Sequence, residues 1–167
     1  HLFETYTNVD FINHWDIVDI RAFDWVNYHD RGQGYFQIFH RYTSLLDISN
    51  STNTEGYARK RIRELSKGTD EGYKFETKVT EDIALLDRLH AMNFTQQGIT
   101  RSDEEVRALY AICENLIGDG SGKLLTTFVN DEPAVVSFFV HDKHRAYHLF
   151  VGTDIKWKDM GVGTKNF

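Results

Sequence analysis

The stretch Lys158-Asp159-Met160-Gly161-Val162-Gly163-Thr164 carries the most direct chemical signal in this chain. It follows an apolar run at residues 146–152 (AYHLFVG), so a strand leads through two closely spaced glycines into the first turn of a helix. The leading N–H groups of a helix lack internal partners and lie at the positive end of its dipole. Glycines without a Cβ let an oxyanion approach such amides closely, and Lys158 adds a point charge. The expected chemistry is capture of a phosphate on the N–H groups of this loop. Residue order excludes two other uses of such a loop. A P-loop requires Gly-Lys-Ser/Thr, whereas Gly163 is followed by Thr164-Lys165, and a dinucleotide fingerprint requires a third glycine within a parallel βαβ unit. The bland alternative is a glycine turn that only starts a helix.

Groups able to move a proton are few near this loop. His148 lies within the strand and has a suitable intrinsic pKa. Strand alternation places His148 with Phe150 on one face, and Tyr147, Leu149 and Val151 on the other. Asp154, just past the strand, and Glu132, in a hairpin turn, are the other two candidates. Each has a structural alternative: a hydrogen-bonded sheet histidine, a turn aspartate holding loop N–H groups, and a solvated glutamate. His141, His144 and His148 do not form a zinc set, because two of them fall in or beside a hairpin turn and no cysteine is near; no metal is expected. The chain also has no Gly-x-Ser-x-Gly elbow.

The elements that must position these groups are readable from periodicity. Residues 123–129 (KLLTTFV), 133–141 (PAVVSFFVH) and 146–152 are rich in β-branched and aromatic residues, with connections suited to hairpins. Upstream, a helix capped by Thr80 runs to about Phe94 with Ile83, Leu86 and Leu89 on one face. A second helix opens with a Ser102/Glu105 capping box, carries Val106, Leu109, Tyr110, Cys113 and Ile117 at helical spacing, and ends at Gly118. Residues 73–79 (YKFETKV) alternate like a strand, and residues 58–67 (ARKRIRELSK) form a basic helix. The polar stretch 50–56 (NSTNTEG) reads as a linker after an N-terminal piece too aromatic to be a disordered tail.

Composition narrows the class. The chain has 167 residues, 41% hydrophobic and 14% aromatic, enough for one moderate domain or a domain plus part of another. Its formal charge of −6 argues against a general nucleic-acid surface, which needs clustered cations. Arg59, Lys60, Arg61 and Arg63 form one local basic cluster, read as a solvated helix face or as a polyanion contact. The single cysteine, Cys113, excludes an internal disulfide and reads as a buried thiol. No stretch approaches the roughly 18 apolar residues of a membrane span, and the first residues lack a signal-peptide pattern. A cytoplasmic protein is expected.

The order strand, two helices, three antiparallel strands, glycine loop and helix resembles the GNAT superfamily of acyl-CoA N-acyltransferases. Residues 158–163 resemble that family's Gln/Arg-x-x-Gly-x-Gly/Ala loop, with Lys158 in place of Gln or Arg. Residues 42–49 (YTSLLDIS), the basic helix, the strand at 73–79 and the helix carrying LLDRLH further resemble the FemAB-like or CelD-like branch, where a chain holds two GNAT-like repeats. Residues 14–20 (HWDIVDI) resemble the strand closing the first repeat. The fold expected is α+β: a mainly antiparallel sheet flanked by helices, lacking the family's C-terminal strands. Residues 1–50 would be a remnant or connecting part of a first unit, and residues 51–167 an acyltransferase domain incomplete at its C-terminus. A homodimer or a longer chain would then complete the sheet.

The resemblance implies acetyl-CoA or another acyl-CoA as donor. Its diphosphate would rest on Lys158, Met160, Gly161, Val162, Gly163 and Thr164, and its pantetheine arm would add along the strand. A backbone N–H of Phe150, Val151 or Gly152 would hold the oxyanion. Gln96 and Gln97, between the two helices, would bond a hydroxyl-rich acceptor, with the acyl group passing to an amine of a sugar, amino acid or cell-envelope precursor. Two alternatives stay open: a FemAB-like transferase using aminoacyl-tRNA, with the basic helix touching RNA, and a non-catalytic GNAT-like binding domain.

Overall fold

The computed structural model describes residues 2–14, 16–40, 58–69 and 71–166. Contacts divide the chain into two compact units, His1–Asn53 and Thr54–Phe167. In the first, α1 (Leu2–Thr5), α2 (Arg21–Asp24) and a 3-10 turn at Arg31–Gln33 are all short. The rings of Phe11, Phe23 and Phe36 pack mutually at centroid separations of 5.8, 5.8 and 5.6 Å. The strand expected at residues 14–20 is absent among the described residues there. The N–H of Ile17 donates to His14 O at 3.0 Å, which closes a turn instead. Trp15 and the expected segments 42–49 and 50–56 lie outside the described residues.

The second unit is α+β. It runs α3 (Arg59–Ser66), β1 (Phe75–Thr80), α4 (Ile83–Gln96), α5 (Asp103–Gly118), β2 (Gly122–Val129), β3 (Glu132–His141) and β4 (Ala146–Thr153). A 3-10 helix at Ile155–Met160 and the single turn α6 (Val162–Lys165) complete it. The sheet order is β1-β2-β3-β4 with every pairing antiparallel, which leaves β4 at one edge of the described sheet. Asn130 and Asp131 take φ of 48° and 68°, the left-handed pair that a two-residue hairpin between β2 and β3 needs.

Local signals set the helix starts. Ser102 and Glu105 form the capping box at α5. The cap of α4 is Asp82, whose carboxylate accepts from Leu85 N–H at 2.8 Å, and not Thr80. Thr80 instead ends β1, with its hydroxyl 2.7 Å from that of Thr126. Gly118 lies within the last turn of α5, and the left-handed glycine after it is Gly120, at φ 82°.

The apolar faces close two layers over the sheet. Leu86 and Leu89 of α4, with Leu109 and Cys113 of α5, pack on Leu124, Val136 and Phe138. Burial pushes the Cys113 thiol up to about 11, so it stays protonated and inert. On the other side Val129 and Val135 meet Trp157 and Val162, with Phe75 alongside.

Two details of β4 shape the site. A Cβ on Gly152 would sit 2.6 Å from the backbone N of His90 and 2.7 Å from Leu89 Cβ, so α4 lies directly on the strand. The β3–β4 register passes from Phe138↔Phe150 to Phe139↔His148, which makes Leu149 the extra residue of a bulge. Phe150 therefore stacks on Phe138 at 6.1 Å, toward the core, while His148 stacks on Phe139 at 4.8 Å. Adjacent β3 residues face opposite ways. His148 and Phe150 thus occupy opposite faces, and the alternation expected from sequence fails at the bulge.

Candidate functional site

The glycine loop is held by short-range bonds. Asp154 caps the 3-10 helix, its carboxylate accepting from Lys156 N–H at 2.9 Å. Gly161 ends that helix at φ 67°, where a Cβ would lie 2.5 Å from Glu64 O. Both the backbone and the approach of α3 therefore demand glycine there. Gly163 differs, since a Cβ on it would meet nothing within 4 Å and it faces open space. The N–H groups of Thr164 and Lys165 donate to Gly161 O at 3.0 and 3.2 Å. Met160 closes the 3-10 helix and packs its side chain on the Trp157 cluster. The expected row of amides at residues 160–164 narrows accordingly: Val162 is fully buried, which leaves Gly163 as the first-turn amide that faces the open.

Behind the loop the chain is pinned. Asn166 is buried, and its side-chain N–H groups donate to Leu125 O at 3.1 Å and Thr127 Oγ1 at 3.0 Å. The Lys165 ammonium donates to the carbonyls of Glu64 and Leu65 at the end of α3.

In front of the loop lies a cleft of about 700 Å³. The loop contributes Lys158, Gly161, Gly163 and Thr164, and β4 ends at its floor with Thr153. Asn93, Gln96 and Gln97 form a wall from the last turn of α4, and Arg61 and Glu64 one from α3. Thus Lys158, Gly161, Gly163 and Thr164 of the expected donor set share one cleft with both glutamines of the expected acceptor set. Phe150, Val151, Gly152, Met160 and Val162 are not among its walls.

Glu64 is the hub of the α3 wall. Its carboxylate accepts from Thr164 Oγ1 at 2.6 Å and from Arg61 Nη1 at 2.7 Å, and that guanidinium also lies 3.1 Å from Thr164 Oγ1. The Thr164 hydroxyl first, and the guanidinium second, hold the Glu64 carboxyl below the usual range. Arg61 and Lys158 stand against the single ionised carboxylate of Glu64, so the cleft lining carries a net charge of +1.

The edge of β4 has its own geometry. The N–H of Thr153 donates to Asn93 Oδ1 at 2.9 Å, and Thr153 O accepts from Asn93 Nδ2 at 2.8 Å. Both Thr153 backbone groups therefore point away from β3, whereas Asp154 N–H turns inward to Ala134 O at 2.8 Å. Direction alternates along an antiparallel strand, so the next outward-facing N–H and C=O belong to Val151.

None of the three proton-transfer candidates lines the cleft. Glu132 is ion-paired with Lys156 at the exposed surface. Asp154 spends its carboxylate on the cap described above. His148, on β4 beyond the bulge, bonds the backbone of Phe150; packing against its neighbours lowers its proton affinity and that bond partly restores it. A different titratable cluster stands on α4. The Arg101 side chain donates to Asp87 Oδ1 at 2.6 Å and lies 3.1 Å from Nδ1 of His90. Burial first, then the Arg101 charge, lowers the pKa of His90.

Arg61, Glu64, Asn93 and Thr153 were not foreseen as a group. The basic cluster pointed to Arg61, yet its partner Thr164 is 103 residues away. Nothing local in the sequence announces that pairing. Among the described residues no group of three or more His, Cys, Asp or Glu is arranged to hold a metal ion. Nor is any helix there long and apolar enough to cross a membrane.

An antiparallel sheet that delivers its edge strand into a glycine loop, with helices on both faces, is the α+β arrangement expected from the sequence. Residues 55–165 match the acetyltransferase (GNAT) domain family, and the chain belongs to that family. No curated protein matches the chain. Membership makes acyl transfer the chemistry to which the domain is suited.

Proposed function

We propose that this chain transfers an acyl group, acetyl in the simplest case, from coenzyme A to an amine of a sugar, amino acid or cell-envelope precursor. The observation that carries this reading is the cleft in which the open glycine, Gly163, and two cations meet the end of the edge strand β4. The donor diphosphate rests on the amide of Gly163, with Lys158 and Arg61 as counter-charges. Its arm extends along the edge of β4, and the Val151 N–H receives the thioester oxygen as negative charge develops on it.

The amine nitrogen attacks the carbonyl carbon, the C–S bond breaks, and coenzyme A leaves as the thiolate. The proton lost by the amine passes through water to His148, which lies outside the cleft along β4 and whose lowered pKa favours the neutral form. Gln96 and Gln97 offer uncharged donors and acceptors suited to hydroxyl groups. The FemAB-like branch is part of this reading, with residues 51–167 as its acyltransferase unit. Exposed cations on α3 keep an aminoacyl-tRNA donor as the second reading.

Thermal shift and calorimetric titration with acetyl-CoA, free CoA and aminoacyl-tRNA decide between them. Acetyl-CoA at a hundredfold excess over its Kd adds about 2.7 kcal/mol of stability by mass action. Gly163→Glu, which places a carboxylate in open space, should abolish that shift and leave the unliganded melting temperature unchanged. A shift with aminoacyl-tRNA alone moves the assignment to the second reading. Binding of CoA without turnover on any amine supports a non-catalytic domain.

A further inference from the structure

Asn93 occupies an unusual place for a side-chain amide. Its carboxamide makes the two bonds that a neighbouring strand would make, accepting from Thr153 N–H and donating to Thr153 O. It does so at the edge of the sheet, on the wall of the cleft, and between the glycine loop and the free groups of Val151. The helix that carries it cannot slide, because Leu89 and His90 sit on the backbone of Gly152. The carboxamide is therefore held at one height along β4.

We propose that Asn93 is a positioning residue that fixes the register of the donor's extended arm on β4, by filling the Thr153 edge so that the first outward-facing N–H open to the donor is that of Val151, where the thioester oxygen sits. This rests on the acyl-CoA reading above. Outward-facing positions on one strand edge recur every two residues, about 6.8 Å apart. An arm that paired at Thr153 would hold its thioester carbonyl that far from the oxyanion donor. The closed Thr153 edge excludes this misregistered mode and binds no reacting atom itself.

The test is backbone amide hydrogen exchange on the full chain, free and saturated with acetyl-CoA (hereafter CoA), for the parent, Asn93→Ala and Asn93→Asp. In the free parent, Thr153 N–H is protected and Val151 N–H exchanges freely; CoA protects Val151. In Asn93→Ala the Thr153 amide exchanges in the free protein and becomes protected by CoA, which reports the shifted register. Asn93→Asp keeps the acceptor for Thr153 N–H and should retain its protection without ligand. Slow hydrolysis of acetyl-CoA should fall at least tenfold in Asn93→Ala, while Kd for CoA changes less than threefold. If CoA protects Val151 alone in both the parent and Asn93→Ala, Asn93 does not set the register and the acyl-CoA reading stands. If CoA binds the parent nowhere, that reading fails and this inference fails with it. An Asn93→Ala chain with a lowered melting temperature and weakened protection throughout α4 and β4 would make the role structural and overturn the proposal.

Discussion

Gly161 and Gly163, two residues apart in sequence, are glycine for different reasons. Gly161 has a left-handed φ and an α3 carbonyl against its Cα, whereas Gly163 looks into empty space. Gly161→Ala should therefore cost roughly 1–3 kcal/mol, read as a lower urea midpoint. Gly163→Ala should leave stability within about 0.5 kcal/mol and act on CoA affinity instead. His148 gives the second prediction at this scale. Its proton affinity lies below the ordinary histidine value, so the neutral, proton-accepting form prevails from about pH 6.5 upward. As a base it should make kcat/KM rise with pH below that point and level off above it. His148→Gln should lose about 10²–10⁴-fold and flatten the acid limb; an unchanged profile would remove His148 from the reaction.

Among the elements, the pairing of α4 with β4 matters most, and it carries a titration. His90 has a lowered pKa in the folded chain, so the unfolded chain binds the extra proton more readily. Stability from this residue is complete above about pH 6.5 and is lost as pH falls toward the folded value. His90→Gln should therefore reduce the fall in unfolding free energy between pH 7 and 5.5, as measured by denaturant titration; His148, shifted the same way, accounts for some of the remaining slope. Much of this layer was legible in sequence because its signals are local. The capping box at α5, the hairpin residues Asn130 and Asp131, and the β-branched runs each lie within a few residues of what they determine. The bulge at Leu149 was not legible, since one inserted residue leaves composition unchanged while reversing every face after it. Asp82 competed with Thr80 as a cap and won because Thr80 is held in β1 by Thr126.

The whole chain holds two units with separate sets of internal contacts. We propose that residues 54–167 fold as an independent domain, close to the expected boundary at residue 51. That fragment should unfold in one cooperative transition and bind acetyl-CoA with the affinity of the full chain. A fragment that is soluble but lacks a cooperative transition would show that the first unit contributes to its core. The loop residues and the two glutamines of the cleft were visible in sequence, whereas Glu64, Asn93, Thr153 and the convergence of all of them were not. Arg61 and Thr164, or Asn93 and Thr153, meet across 103 and 60 residues through the sheet, and no local pattern encodes such distances.

The buried anchor of Asn166 has a consequence for how a donor arrives. Swinging the glycine segment aside would strand a carboxamide nitrogen in the interior and break two ammonium contacts to α3. Under the proposed function the backbone of the glycine segment is therefore in place before any encounter, and the ordering cost of docking falls on the visitor and on the exposed side chains of Arg61 and Lys158. Association should be governed by diffusion and ionic strength, and not by a gate.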